Sequence, residues 1–148
     1  MRWSITDSKN LEDAIFEMKL RLAQVIGVQR GMTVVDLGCG QGGFTTALAK
    51  NVGAHGKVIA VDISEEYLKE FRKRLDKYGV KKTVTFTRMN AADLRDVISD
   101  EVADMALSYR LLEELKQPRE MGKIVEEMAR ITKRGGKICL AELSPEAR

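Results

Sequence analysis

The stretch VVDLGCGQGG, Val34 to Gly43, constrains this chain more than any other. An apolar β-branched run ends in an aspartate, and glycines follow at 38, 40, 42 and 43. The run reads as a buried strand. The glycines after it permit a sharp turn and the close approach of a ligand to the main chain. Two spacings fit, G-x-G-x-G (Gly38, Gly40, Gly42) and G-x-G-x-x-G (Gly38, Gly40, Gly43). The second is a dinucleotide fingerprint; the first belongs to a different cofactor.

The rest of the chain builds an alternating β/α pattern around that loop. Leu11, Ala14, Ile15, Met18, Leu22, Val25 and Ile26 recur at helical steps after a cap at Asn10 and stop at Gly27. Strands are expected at 33–37, 57–61, 83–87, 102–107 and 137–143. Helices are expected from Phe44, from a cap at Ser64, around Asp93–Ser99 and after Pro118. Short apolar strands alternating with helices imply a doubly wound α/β fold, a mostly parallel sheet with helices on both faces. In such a sheet the ligand lies outside the carboxyl ends of the strands, beside the first one. Residues 1–30 read as an arm and a helix, and 31–148 as the ligand-binding domain, a single domain overall.

Charge separates the two glycine readings. Asp36 stands two residues before Gly38. A carboxylate there repels a pyrophosphate, which settles on the following helix N-terminus. It suits S-adenosylmethionine, which has no phosphate and carries an ammonium and a sulfonium. Asp62, ending VIAVD, can accept both ribose hydroxyls of either cofactor. In RMNAADL, Asn90 offers an amide oxygen to an adenine amino group, and Ala91 a backbone N–H to a ring nitrogen. The plain readings are a strand-to-helix turn at the glycines, a capping role for Asp36 or Asp62, and turn residues at Asn90 and Ala91.

Residues 31–143 resemble the class I S-adenosylmethionine-dependent methyltransferases. VVDLGCGQG, VIAVDIS, MNAADL, ADMALSYRLLEEL and EMARITKRGGKICLAEL stand in that family's order and spacing. The resemblance implies a five-stranded sheet of order 3-2-1-4-5, with S-adenosylmethionine as cofactor and S-adenosylhomocysteine as product. It carries cofactor contacts onto Asp36, Gly38, Gly40, Asp62, Ile63, Asn90, Ala91 and Ser108, with Cys39 in the same loop read as packing rather than as a nucleophile. Asn90 departs from the family, which often has an acid there. Tyr109 and Arg110, after strand four, are candidate acceptor contacts, and Trp3 on the N-terminal arm is a third. The signatures of amino-group and cytosine-C5 methylases are missing from that segment, so catalytic residues and acceptor stay unassigned. The family's terminal strand hairpin is also missing, which leaves strand five as an edge for a homodimer unless the chain is a fragment.

Composition narrows the rest. The net charge of +3 over 148 residues does not indicate a nucleic-acid partner. No apolar run approaches the ~18 residues of a membrane span, and no signal peptide is expected. Cys39 and Cys139 lack metal-ligand spacing, so no metal is expected and reduced thiols in a cytoplasmic protein are the default. Beside the methyltransferase stand two alternatives: an NAD(P)-dependent oxidoreductase, and a non-catalytic binding subunit of the same fold.

Overall fold

The computed structural model describes residues 10–112 and 115–142. Within them lie α1 (Leu11–Val25), β1 (Thr33–Leu37), α2 (Gly43–Val52), β2 (Lys57–Asp62) and α3 (Leu68–Lys77). After these come β3 (Val84–Arg88), β4 (Ala103–Tyr109), α4 (Pro118–Ile131) and β5 (Thr132–Ala141). The strands form one sheet of order β3-β2-β1-β4-β5, with every neighbouring pair parallel. Trp3 lies outside the described residues, as do Leu143 and Pro145.

Strand alternation sorts the core into two layers. Val34, Val58, Ala60, Met105 and Leu107 pack with α2, with Ala23 of α1 and with Phe71 and Leu75 of α3. Val35, Leu37, Val61 and Ala106 face Ile124, Met128 and Ile131 of α4. The same alternation sends Asp36 to the α2 side.

α1 begins as its sequence predicts, with Asn10 Oδ1 accepting the Asp13 N–H at 2.9 Å. Its apolar stripe is wider than the core it meets. Ala14 and Ala23 are buried, whereas Leu11 and Val25 are 75% and 72% exposed.

Three local expectations differ from the structure. Residues 93–99 form turns, not a helix. The Leu94 N–H is taken by a side chain, Glu127 Oε2 at 2.6 Å, and Leu94 and Ile98 plug the α4 layer. α3 begins at Leu68, because Ser64 closes a tight local turn: its N–H donates to Asp62 Oδ1 and its Oγ accepts from the Glu66 N–H. β5 starts at Thr132, and Arg134-Gly135-Gly136 is an irregularity inside it rather than its beginning.

Glu127 is the buried hinge of the α4 side. Besides the Leu94 N–H it accepts two hydrogen bonds from Arg130, at 2.8 and 3.0 Å, and Arg130 reaches on to the Ile98 carbonyl and Asp100. The Arg130 guanidinium holds the Glu127 carboxyl below its usual range. That stabilisation is present above about pH 4.5 and is lost as the pH falls through the lowered value. Glu127→Ala leaves the buried Leu94 N–H without its acceptor and Arg130 with only Asp100 and the Ile98 carbonyl. We expect a loss of about 3 kcal/mol in urea unfolding at pH 7, with Glu127→Gln costing less. Equal, small losses for both variants would mean that the network adds little.

Candidate active site

The carboxyl ends of β1, β2 and β4 meet at the glycine loop. Gly38, Gly40 and Gly42 have φ of +74°, +52° and +79°, a region that L side chains rarely adopt. Gly43 has no such requirement and simply opens α2. The backbone therefore uses the G-x-G-x-G spacing, and the fourth glycine falls outside it.

Asp62 is tied into this loop. Its Oδ2 accepts the Gly40 N–H at 2.9 Å and its Oδ1 accepts the Ser64 N–H at 2.9 Å. Each oxygen keeps a second lone pair for a ligand hydroxyl. Asp36 is 2% exposed and accepts the Thr45 hydroxyl at 2.6 Å. Burial, with the Asp62 charge adding to it and the Thr45 bond opposing it, pushes the Asp36 carboxyl up to about 6. It is ionised at neutral pH and close to neutralisation.

A cavity of about 580 Å³ gathers most of the positions expected from sequence. Gly38, Gly40, Asp62, Ile63, Asn90 and Ala91 line it, and so do Tyr109 and Arg110. Asn90 Oδ1 already accepts the Ala92 N–H at 2.9 Å, so its turn role is real and one lone pair remains for a ligand. Ile63 is 64% exposed at the rim. Asp36 and Cys39 line a neighbouring cavity, which shares Gly38 and Tyr109 with the first.

Two positions sit differently. Ser108 is fully buried with an unpartnered Oγ, and it is not part of the cavity wall. Its strand alternates with Tyr109, so only one of the two can face the α2 side. Cys39 is buried, and its environment and the Asp36 and Asp62 charges push its thiol up, which keeps it protonated. Tyr109 stacks on Phe44, ring centroids 4.9 Å apart. Arg110 has φ of +60°, strained for a residue with a side chain, and its N–H donates to the Ala141 carbonyl at 2.7 Å. That kink turns the chain after β4 over the cavity. Leu111 and Leu115, from the connection to α4, and Glu120, in the first turn of α4, also line it and were not singled out from sequence.

Comparison with known proteins agrees with this arrangement. A family model described as a methyltransferase domain matches residues 28–147. The chain belongs to the methyltransferase-domain family. Its fold is the class I arrangement, a 3-2-1-4-5 sheet with the G-x-G-x-G loop following β1. A ubiquinone/menaquinone biosynthesis C-methyltransferase of Escherichia fergusonii is 35% identical over 119 residues, 80% of this chain and 45% of that protein. This chain thus spans about half the length of the curated relatives it matches. The crystal structure of an S-adenosylmethionine-dependent methyltransferase from Aquifex aeolicus superposes with a TM-score of 0.66 at 28% identity, covering 89% of this chain and 69% of that one. An arsenic(III) S-adenosylmethionine methyltransferase from Chlamydomonas reinhardtii gives 0.65 at 27%, covering 75% and 38%. No metal-binding cluster and no helix long and apolar enough to cross a membrane occur among the described residues of the methyltransferase domain.

Proposed function

We propose that this methyltransferase domain binds S-adenosylmethionine in the 580 Å³ cavity and supports methyl transfer to an acceptor that meets it near Tyr109 and Arg110. The observation that carries the reading is a pair of carboxylates flanking the glycine loop, Asp36 on β1 and Asp62 at the end of β2. Asp62 is fixed by the Gly40 and Ser64 N–H groups with lone pairs to spare, and Asp36 is buried beside it. One acid in each of two adjoining cavities, Asp62 in the larger and Asp36 in its neighbour, favours a ligand with ribose hydroxyls and positive charge over a pyrophosphate. Asp62 would hold the ribose, Asn90 and the Ala91 N–H the adenine, and Asp36 the ammonium end. When bound, S-adenosylmethionine supplies an electrophilic methyl on a sulfonium. The chain's own part is positioning: it fixes the nucleoside, and the kink at Arg110 frames the space where an acceptor approaches. A base is needed only for an acceptor that must lose a proton.

Incubation with methyl-tritiated S-adenosylmethionine and fractionated small-molecule, protein and RNA pools tests the reading. Label entering one pool, and lost with Asp62→Ala, is the expected result. Cofactor binding without transfer to any pool would favour the non-catalytic subunit.

Asp36 supports a sharper expectation. Moving a carboxyl from 3.8 to about 6 on folding corresponds to about 3 kcal/mol. For a raised carboxyl that stability is present below the unfolded value and is lost as the pH rises through 6. Asp36→Asn keeps the Thr45 acceptor and removes the charge. It should raise stability at pH 8 by about 1–3 kcal/mol. It should also weaken S-adenosylhomocysteine more than adenosine, which has no ammonium. Equal losses for both ligands in calorimetry would leave Asp36 only a loop-shaping role.

β5 is at the edge of the sheet, and Ile138 and Leu140 on it are 42% and 47% exposed. An apolar edge with unpaired backbone groups is a pairing hazard that proteins cover or use. We propose that a second copy pairs there across a two-fold axis. Light scattering over a concentration series should show a dimer with slow amide exchange along 138–141. A monomer with fast exchange would remove the edge-paired dimer. We also place the domain in the cytoplasm, supported by its two unpaired cysteines.

A further inference from the structure

The second cavity, about 480 Å³ between α1 and the glycine loop, holds a charge arrangement that the nucleoside reading leaves unused. Its wall carries Lys19 and Glu12 from α1, Arg74 from α3 and Asp36 from β1, with Leu11, Ile15 and Phe44 as its apolar part; the Glu12 carboxylate is already paired with Lys77 at 3.1 Å. The two cations converge on the start of α2. A Cβ built on Gly43 would lie 2.6 Å from Lys19 Nζ and 3.7 Å from Arg74 Nη1. Arg74 is held there by donating to the Gln41 carbonyl at 3.0 Å. Among the described residues, neither cation has a carboxylate within ion-pair distance. Burial and the Arg74 charge lower the Lys19 amine, while the Asp36 charge opposes them.

Two like charges drawn together, partly out of water and against the positive end of a helix, repel each other; Asp36 offsets this only in part, being bonded to Thr45 and beyond ion-pair distance of both, so a further anion between them is favourable. The cavity they face is large enough for an organic group, and a guanidinium beside an ammonium is well matched to a carboxylate.

We propose that Lys19 and Arg74 form a carboxylate-binding site in this cavity, next to the nucleoside site. The proposal rests on the reading given under Proposed function. The carboxylate has two possible sources with one chemistry: the amino-acid end of the cofactor, or an acidic group on the acceptor. Asp36 opposite the cations suits the first, since acid and cations together match a zwitterion. The apolar side chains suit the second.

Calorimetry with S-adenosylhomocysteine and 5′-methylthioadenosine separates the sources, because the second ligand is the nucleoside without the amino-acid end. The proteins compared are wild type, Lys19→Met, Arg74→Met and Arg74→Lys. If the cofactor supplies the carboxylate, the two methionine variants weaken S-adenosylhomocysteine at least tenfold and leave methylthioadenosine within twofold, with partial rescue by Arg74→Lys. If the acceptor supplies it, S-adenosylhomocysteine is unaffected. Benzoate then binds the wild-type methylthioadenosine complex saturably and does not bind that of Lys19→Met. Variants that match wild type for all three ligands overturn the proposal. So do variants that lose both nucleosides equally, because the cations would then only brace the loop. A wild type that binds neither nucleoside removes the underlying functional reading instead, and the carboxylate site is then judged by benzoate titrated into the free protein.

Discussion

Asp62→Ala is expected to weaken S-adenosylhomocysteine binding by about two orders of magnitude or more in a protein that still folds. Charge-assisted hydrogen bonds contribute roughly 1.5–3 kcal/mol each, and two ribose hydroxyls on one carboxylate would lose both. The variant also frees the Gly40 and Ser64 N–H groups, which Asp62 holds at 2.9 Å each, so the glycine loop loses its anchor. Asp62→Asn, with one acceptor oxygen in place of two, should fall between. Adenosine should suffer like S-adenosylhomocysteine, since both carry the ribose; this distinguishes Asp62 from Asp36. Calorimetry showing unchanged affinity in folded Asp62→Ala would remove the ribose from this carboxylate.

Gly42→Ala should be the most damaging single change in the loop. The φ of +79° costs an alanine about 1–2 kcal/mol. The new methyl would also lie 2.6 Å from the Phe71 ring. Phe71 is 1% exposed and packs against Phe86, centroids 5.5 Å apart, so it has little room to retreat. Overpacking of this kind adds roughly 1–3 kcal/mol, for a total of about 2–5 kcal/mol. Gly40→Ala provides the control: its φ is +52° but a Cβ there meets nothing within 4 Å, so only the conformational cost applies. Gly43→Ala meets the flexible tip of Lys19 and should be milder still. Urea unfolding that ranks Gly40→Ala at or above Gly42→Ala would contradict this account of the loop.

What the sequence revealed was what depends on local pattern. Alternation along VVDL places Asp36 on the α2 side, and the βα alternation leads to a parallel sheet whose order the family resemblance supplies. The cavity unites Asp62, Asn90 and the glycines because these positions end successive strands. What stayed hidden depends on distant partners. A helix over 93–99 is reasonable from its composition, yet the segment makes a single turn on the Leu94 carbonyl and is pinned to α4 by a glutamate 33 residues away. Lys19 and Arg74 look like ordinary members of solvated helix faces until α1 and α3 bring them to the same glycine. Ser108 followed the family motif to a buried position, because side-chain direction on β4 depends on register, which spacing alone does not give.

The central claim is that the loop glycines at 38, 40 and 42, with Asp36 of β1 and Asp62 of β2 beside them, serve a nucleoside with a positively charged amino-acid end. Parallel calorimetric titration of the wild-type chain with S-adenosylhomocysteine and with NAD tests it most directly. Saturable one-to-one binding of S-adenosylhomocysteine, with no heat from NAD at the same concentrations, is the predicted result. Binding of NAD without S-adenosylhomocysteine would contradict it and turn the reading to the dinucleotide.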